Sequence, residues 1–194
     1  TGSSASLDTI ERIAENADLV FVDEAYCEFK GVSALGLLDK YDNIIVTRTF
    51  SKAYGLAGLR IGLLFANEKI IKTLKKVISP YSVNMIAIEC AMAAIRDQEH
   101  MRSCVSEIMR SRDMLMSGLR SMGFRVYDSD ANFFICDLGK EHDNVLKILN
   151  DNDILVRDRK GDLLLENCVR ISAGTMDECK TLLDVLGDYY GGAK

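Results

Sequence analysis

Two continuous apolar runs, each too short for a helix, constrain this chain more than any other feature. Leu19-Val20-Phe21-Val22 and Asn43-Ile44-Ile45-Val46-Thr47 are rich in the β-branched and aromatic residues that suit strands. Neither run alternates apolar with polar. Each therefore reads as a strand buried on both faces, as in a parallel sheet. About 20 residues lie between them, room for a right-handed crossover and hence for parallel pairing. A short helical pattern over 32–38 occupies part of that connection. With the second strand taken to its end at Lys52, only about eight residues precede the next apolar run, Arg60-Ile61-Gly62-Leu63-Leu64-Phe65-Ala66. A crossover helix does not fit there. The third strand is therefore expected to run antiparallel to the second, an exception in a mostly parallel sheet.

The pattern elsewhere predicts a helix capped by Ser6, helices near 68–77, 83–97 and 99–122, and a stop at Gly123. Pro80, beside Ser79, Tyr81 and Ser82, punctuates the middle. Strands near 124–127, 132–136, 154–157 and 168–172 and helices near 142–151 and 176–190 then make an α+β unit. The boundary between the two parts falls in or near the long helix.

Composition removes several classes. Of 194 residues, 48% are hydrophobic and 27% charged, the mix of a soluble globular chain with a sizeable core. A net charge of −5 gives no basic balance, so neither nucleic acid nor an anionic membrane is expected as partner. No run approaches the roughly 18 apolar residues of a membrane span. The opening Thr1-Gly2-Ser3-Ser4 has no basic signal-peptide region and no initiator Met, so it reads as a boundary inside a longer protein. Cys27, Cys90, Cys104, Cys136, Cys168 and Cys179 form no CxxC motif, and His100 and His142 match no metal-ligand spacing. Reduced cysteines serving as small hydrophobes are expected, and a Ser-His or Cys-His catalytic pair is not.

The chemistry gathers at strand ends. The first strand ends in Asp23-Glu24-Ala25-Tyr26 and the second in Thr49-Phe50-Ser51-Lys52. Ligands of open α/β sheets bind off the carboxyl ends of the strands, so parallel pairing brings Asp23, Tyr26, Ser51 and Lys52 to one edge. Lys52 leads into Ala53-Tyr54-Gly55-Leu56-Ala57-Gly58-Leu59, and so apolar a setting should make its amine a usable nucleophile. Arg60 starts the returning strand near the same edge. An amine for an aldehyde, a carboxylate for a pyridine nitrogen, a phenol for the ring oxygen, and a hydroxyl and an arginine for a phosphate are what pyridoxal phosphate requires. Taken singly, Asp-x-x-Tyr or Ser-Lys is ordinary strand-end and turn chemistry. Gly55, Gly58 and Gly62 do not make a dinucleotide fingerprint.

Together, these residues resemble the class I/II aminotransferases of pyridoxal phosphate fold type I, and within them the histidinol-phosphate branch. The resemblance runs from Asp23-Glu24-Ala25-Tyr26 through the stretch between Thr49 and Gly62 to Asp130-Ala131-Asn132-Phe133, Ile154-Leu155-Val156-Arg157 and Val169-Arg170-Ile171-Ser172-Ala173-Gly174-Thr175. It implies an α/β fold. Residues 1–100 would be the C-terminal part of a pyridoxal-phosphate-binding large domain, a mostly parallel three-layer sheet domain, and residues 101–194 a smaller α+β C-terminal domain. It implies that Lys52 bonds the cofactor aldehyde and shuttles a proton, that Asp23 pairs with the ring nitrogen and that Tyr26 pairs with the ring oxygen. Thr49, Ser51 and Arg60 would bind the phosphate, and Arg170 with Arg157 the anionic group of the substrate. The partners implied are a small-molecule amino donor and a 2-oxo acid, in a cytoplasmic homodimer of the full-length enzyme.

Two departures matter. Many members carry an aromatic after the glycine of Arg-x-Gly, where this chain has Leu63. Members are also nearly twice this length, and Thr1-Gly2 resembles the tail of their Asn-Pro-x-Gly motif. The motif asparagine, the upstream phosphate loop, the ring-stacking aromatic and the partner-subunit tyrosine have no counterpart here. The resemblance thus implies a C-terminal fragment with an exposed sheet edge, inactive alone. Two rival readings keep the fold: a decarboxylase of a phosphorylated amino acid, and a non-catalytic aminotransferase-like ligand-binding domain. For Arg170, the alternative to substrate binding is an ion pair with an acidic side chain such as Glu166 or Asp158.

Overall fold

Ser6 opens the first helix of the computed structural model, which describes residues 2–190. Its hydroxyl accepts the Thr9 amide at 3.1 Å, satisfying a donor that the first turn leaves orphaned. Helix α1 (Leu7–Ala14) leads to β1 (Val20–Asp23), a one-turn α2 (Cys27–Lys30), a 3-10 turn over Ala34–Asp39, and β2 (Ile44–Thr49). A second 3-10 turn, Ala57–Leu59, precedes β3 (Gly62–Ala66), α3 (Glu68–Leu74) and α4 (Met85–Arg96). The sheet order is β1-β2-β3; β1 is parallel to β2 and β3 antiparallel to it. The third strand is reversed as expected, although its connection to β2 runs over twelve residues, 50–61, rather than about eight. Among the described strands of this sheet, one pairing is parallel and one antiparallel.

Gly62 explains how that reversal closes. A Cβ there would sit 2.7 Å from the Arg48 carbonyl oxygen, so only glycine lets β3 lie this close to β2.

The 24-residue helix α5 (Gln98–Ser121) follows. Gly123, at φ +92°, ends the turn after it, with the Phe124 amide bonded back to Leu119 O at 3.2 Å. Then come β4 (Arg125–Val126), β5 (Phe133–Asp137), α6 (His142–Asp151), β6 (Arg157–Asp158), β7 (Cys168–Ser172) and α7 (Met176–Tyr190). These strands form an all-antiparallel sheet in the order β4-β5-β7-β6. The chain divides into two compact units. One is Ser4–Ser103; the other runs from Cys104 onward and takes in Gly2 and Ser3.

Two expectations change. β1 is not covered on both faces, because Val20 is buried while Phe21 is 61% exposed. β2, with Ile44, Ile45 and Val46 all buried, does behave as a doubly covered strand. The strand expected over 154–157 is the two-residue β6, and Leu155 is instead exposed. All six cysteines are free thiols. Among the described residues no helix is long and apolar enough to cross a membrane.

Candidate active site

The carboxyl ends of β1 and β2 lie side by side because their register pairs Val20 with Ile44 and Asp23 with Thr47. Asp23 is the last residue of β1 and is exposed. Its Oδ1 accepts the Ala25 amide at 3.0 Å, which turns the chain and sets Tyr26 at the start of α2. At the neighbouring strand end, Thr49 Oγ1 accepts the Ser51 amide at 3.1 Å. The Leu56 amide returns to Phe50 O at 2.9 Å, curling the 50–56 segment back on itself. That curl carries Lys52 toward Tyr26, with Nζ 5.3 Å from the ring centre.

Asp23, Tyr26, Thr49, Ser51 and Lys52 thus meet on one edge. Arg60 approaches by another route. It precedes β3 rather than starting it, in a left-handed turn at φ +52°, and its Nη1 donates to Ala57 O at 2.8 Å. A non-glycine residue held there stores backbone strain, a feature that clusters at functional sites.

The setting of Lys52 differs from the expected one. Its side chain is exposed, so the flanking apolar loop does not bury it, and among the described residues it makes no ion pair. Its amine lies over the Tyr26 ring, within cation–π range.

In the second unit, β6 pairs with β7 so that Arg157 stands opposite Arg170. Both line one cavity of about 540 Å³, along with Ile154, Leu155, Leu182 and Glu178. The Arg170 guanidinium carbon lies 5.2 Å from the Phe133 ring centre, within cation–π range. Its Nε is buried and accepted by no protein atom. The ion pair with Glu166 or Asp158 does not form. Asp158 instead engages His142 Nε2 at 3.0 Å and the Lys160 amide at 2.8 Å.

Sequence reasoning gave Glu24 no role and read Cys27 only as a small hydrophobe. Glu24, between Asp23 and Tyr26 in sequence, is 7% exposed. Its Oε2 accepts from Arg48 Nε at 3.0 Å and Ser33 Oγ at 2.8 Å, and its Oε1 accepts from the Ala34 amide. The signal was the acidic doublet at a strand end, where only one carboxylate faces the edge. Cys27, next to Tyr26, carries a thiol pushed up to about 12 by burial and the Glu28 carboxylate, which removes it as a nucleophile at neutral pH.

The chain is similar to known proteins in sequence and fold. The sequence matches the family of aminotransferases class I and II over residues 1–186. It is 38% identical to histidinol-phosphate aminotransferase 1 of Carboxydothermus hydrogenoformans, covering 97% of this chain and 53% of that one. The crystal structure of histidinol-phosphate aminotransferase from Sinorhizobium meliloti in complex with pyridoxal-5'-phosphate superposes with a TM-score of 0.87 at 28% identity, over 98% of this chain and 54% of that one. L-threonine-O-3-phosphate decarboxylase from Porphyromonas gingivalis shares the fold, with a TM-score of 0.84 at 24% identity over 97% and 60% of the two chains. The chain spans about half the length of the curated relatives it matches. It belongs to the class I and II aminotransferase family.

Proposed function

We propose that this chain is the lysine-bearing part of a pyridoxal-phosphate-dependent aminotransferase that moves an amino group between histidinol phosphate and a 2-oxo acid, a step of histidine biosynthesis. The observation that carries the reading is the approach of Lys52 Nζ to 5.3 Å from the Tyr26 ring centre, on the edge that Asp23 shares. The donor set fits the cofactor: an exposed amine, a carboxylate, a phenol, two hydroxyls and an arginine are all exposed or half-buried around one strand-end edge.

When bound, pyridoxal phosphate supplies an aldehyde and an electron-accepting ring. Asp23 would hold the ring nitrogen and Tyr26 the ring oxygen. Thr49, Ser51 and Arg60 would hold the phosphate. Lys52 Nζ would be the amine facing the aldehyde and the base placed to take and return a proton. Arg170, with Arg157, grips the anionic group of the donor; a guanidinium with an unaccepted N–H is suited to an incoming phosphate or carboxylate.

In this reading residues 1–100 are part of a large, mostly parallel three-layer domain, and residues 101–194 a smaller α+β domain. The enzyme acts as a homodimer in the cytoplasm. Incubation with pyridoxal phosphate, borohydride reduction and peptide mapping should place the adduct in the peptide spanning Ser51 to Arg60. An adduct spread over Lys72 and Lys75 would overturn the reading. A requirement for a 2-oxo acid acceptor separates amino transfer from decarboxylation.

A further inference from the structure

We infer that Glu24, paired with Arg48, is a positioning residue. It braces the loop that carries Tyr26 against the strand end that carries Thr49, Ser51 and Lys52. The inference rests on the cofactor reading above for its consequence, but not for its geometry.

A carboxylate only 7% exposed is costly unless its charge is met. The side-chain bonds of Glu24 reach two parts of the edge, β2 and the far end of the loop. The bond from Arg48 Nε ties it to β2, one residue before Thr49. The bonds from Ser33 Oγ and the Ala34 amide tie it to the far end of the loop that begins at Glu24 itself. The 24–34 loop is thereby closed at its mouth by one side chain. Inside it, the Phe29 amide bonds Tyr26 O at 3.1 Å and the Gly31 amide bonds Cys27 O at 2.7 Å, so Tyr26 rides on a closed ring of chain. The other charged or titratable groups around Arg48 are Glu28 and the Cys27 thiol.

The sheet does not need this brace to exist. The ladder already joins β1 to β2 from Val20 to Asp23, and the Glu24 amide adds a bond to Thr47 O at 2.8 Å; the side-chain bonds of Glu24 begin beyond it. Losing them should free the edge and leave the core. A merely structural ion pair would instead weaken the whole unit evenly.

The test is amide hydrogen exchange on the 194-residue chain. In Glu24→Gln, which keeps shape and removes charge, exchange should quicken roughly tenfold across 25–34 and 49–52, the scale of a lost charge-assisted hydrogen bond. The 44–46 amides should be unchanged. Glu11→Gln, which removes the exposed partner of Lys40, should alter neither segment. If Glu24→Gln does not fold, Arg48→Lys is read the same way, because lysine keeps the charge and loses the planar grip. Unchanged exchange at both segments, or equal acceleration across the unit, overturns the inference.

Titration with pyridoxal phosphate gives the second readout. Uptake by the unsubstituted chain tests the cofactor reading by itself. Given uptake, Glu24→Gln should weaken binding about tenfold, and equal affinity would overturn the brace. Absence of uptake by the unsubstituted chain fails the cofactor reading alone, and the exchange pattern still decides the brace.

Discussion

The unit from Cys104 onward and the unit over Ser4–Ser103 bury their apolar residues to very different degrees. In the former, Leu115 and Leu119 of α5, Leu149 of α6 and Leu186 of α7 close over Phe134 and Val169 of the sheet, all at 0–1% exposure. In the latter, the core is the smaller cluster of Ile10, Ala14, Val20, Ala34, Ile44 and Val46. Phe21, Leu63 and Leu64 of its sheet are exposed, and so are Met85 and Ile86 of α4, at 77% and 70%. A helix as apolar all round as α4 is of the kind that packs on several sides. The unit with the lysine is therefore the one whose surface asks for more protein. The second unit has its core complete and adds two arginines over a cavity. Chemistry and closure are separated along the chain.

Substitutions at the two sets of residues should separate the same way. The largest effect is expected from Lys52→Ala, which removes the amine 5.3 Å from the Tyr26 ring centre. Covalent capture of pyridoxal phosphate in the Ser51 to Arg60 peptide should vanish in the borohydride assay. Capture that persists there would break the assignment. Next, Phe134→Ala opens a cavity in the filled core and should cost about 3–5 kcal/mol by chemical denaturation. Phe21→Ala, at a site 61% exposed, should stay within about 0.5 kcal/mol. Equal costs would mean that the face of β1 is covered after all.

Much of this division was legible in the sequence. Short apolar runs fix strands because no helix fits within them, and a short connection pointed to the reversal of β3. The strand-end residues followed from parallel pairing, which places Asp23 beside Thr47 and brings Lys52 round to Tyr26. Burial was less legible. Phe21 and Ile45 look alike in their apolar runs, yet one is exposed and the other buried, because covering depends on what packs across the sheet. For the same reason the apolar loop after Lys52 did not bury its amine. β6 begins later than expected because Ile154 and Val156 pack against the core while Leu155 turns to solvent, without a strand partner. Glu24 was hidden by its neighbour: adjacent acidic residues give no sign of which one turns inward.

Arg170→Lys sharpens the comparison from the other side. It leaves Lys52 and its neighbours untouched, so adduct formation on Lys52 should match the unsubstituted chain. In the active enzyme the Michaelis constant for the anionic substrate should rise about 10–100-fold, with a smaller change in kcat, because lysine lacks the planar two-pronged contact. An unchanged Michaelis constant for both substrates would return Arg170 to a packing role over Phe133.

The smallest effect concerns acid. In the second unit, Lys160 and His142 bond Asp143 and hold its carboxyl below the usual range. The Lys160 amide and His142 do the same for Asp158. The Thr175 amide and hydroxyl lower Glu178. A carboxylate whose folded value is depressed contributes stability above its unfolded value, and that contribution is lost as pH falls through the folded value. The loss should therefore begin near about pH 4 and continue below it, where unfolded Asp and Glu titrate. These side chains are largely exposed, so solvent screens each contribution and the total is small. The measurement is the midpoint of thermal unfolding against pH, followed by exchange in segments 142–160 and 20–49. Acid should loosen 142–160 first. In Asp158→Asn, which cannot ionise, the midpoint at neutral pH should be slightly lower and the slope on acidification shallower. A slope identical to that of the unsubstituted chain would show that the contact between His142 and Asp158 contributes nothing to the acid response, and that the sensitivity lies elsewhere in the fold.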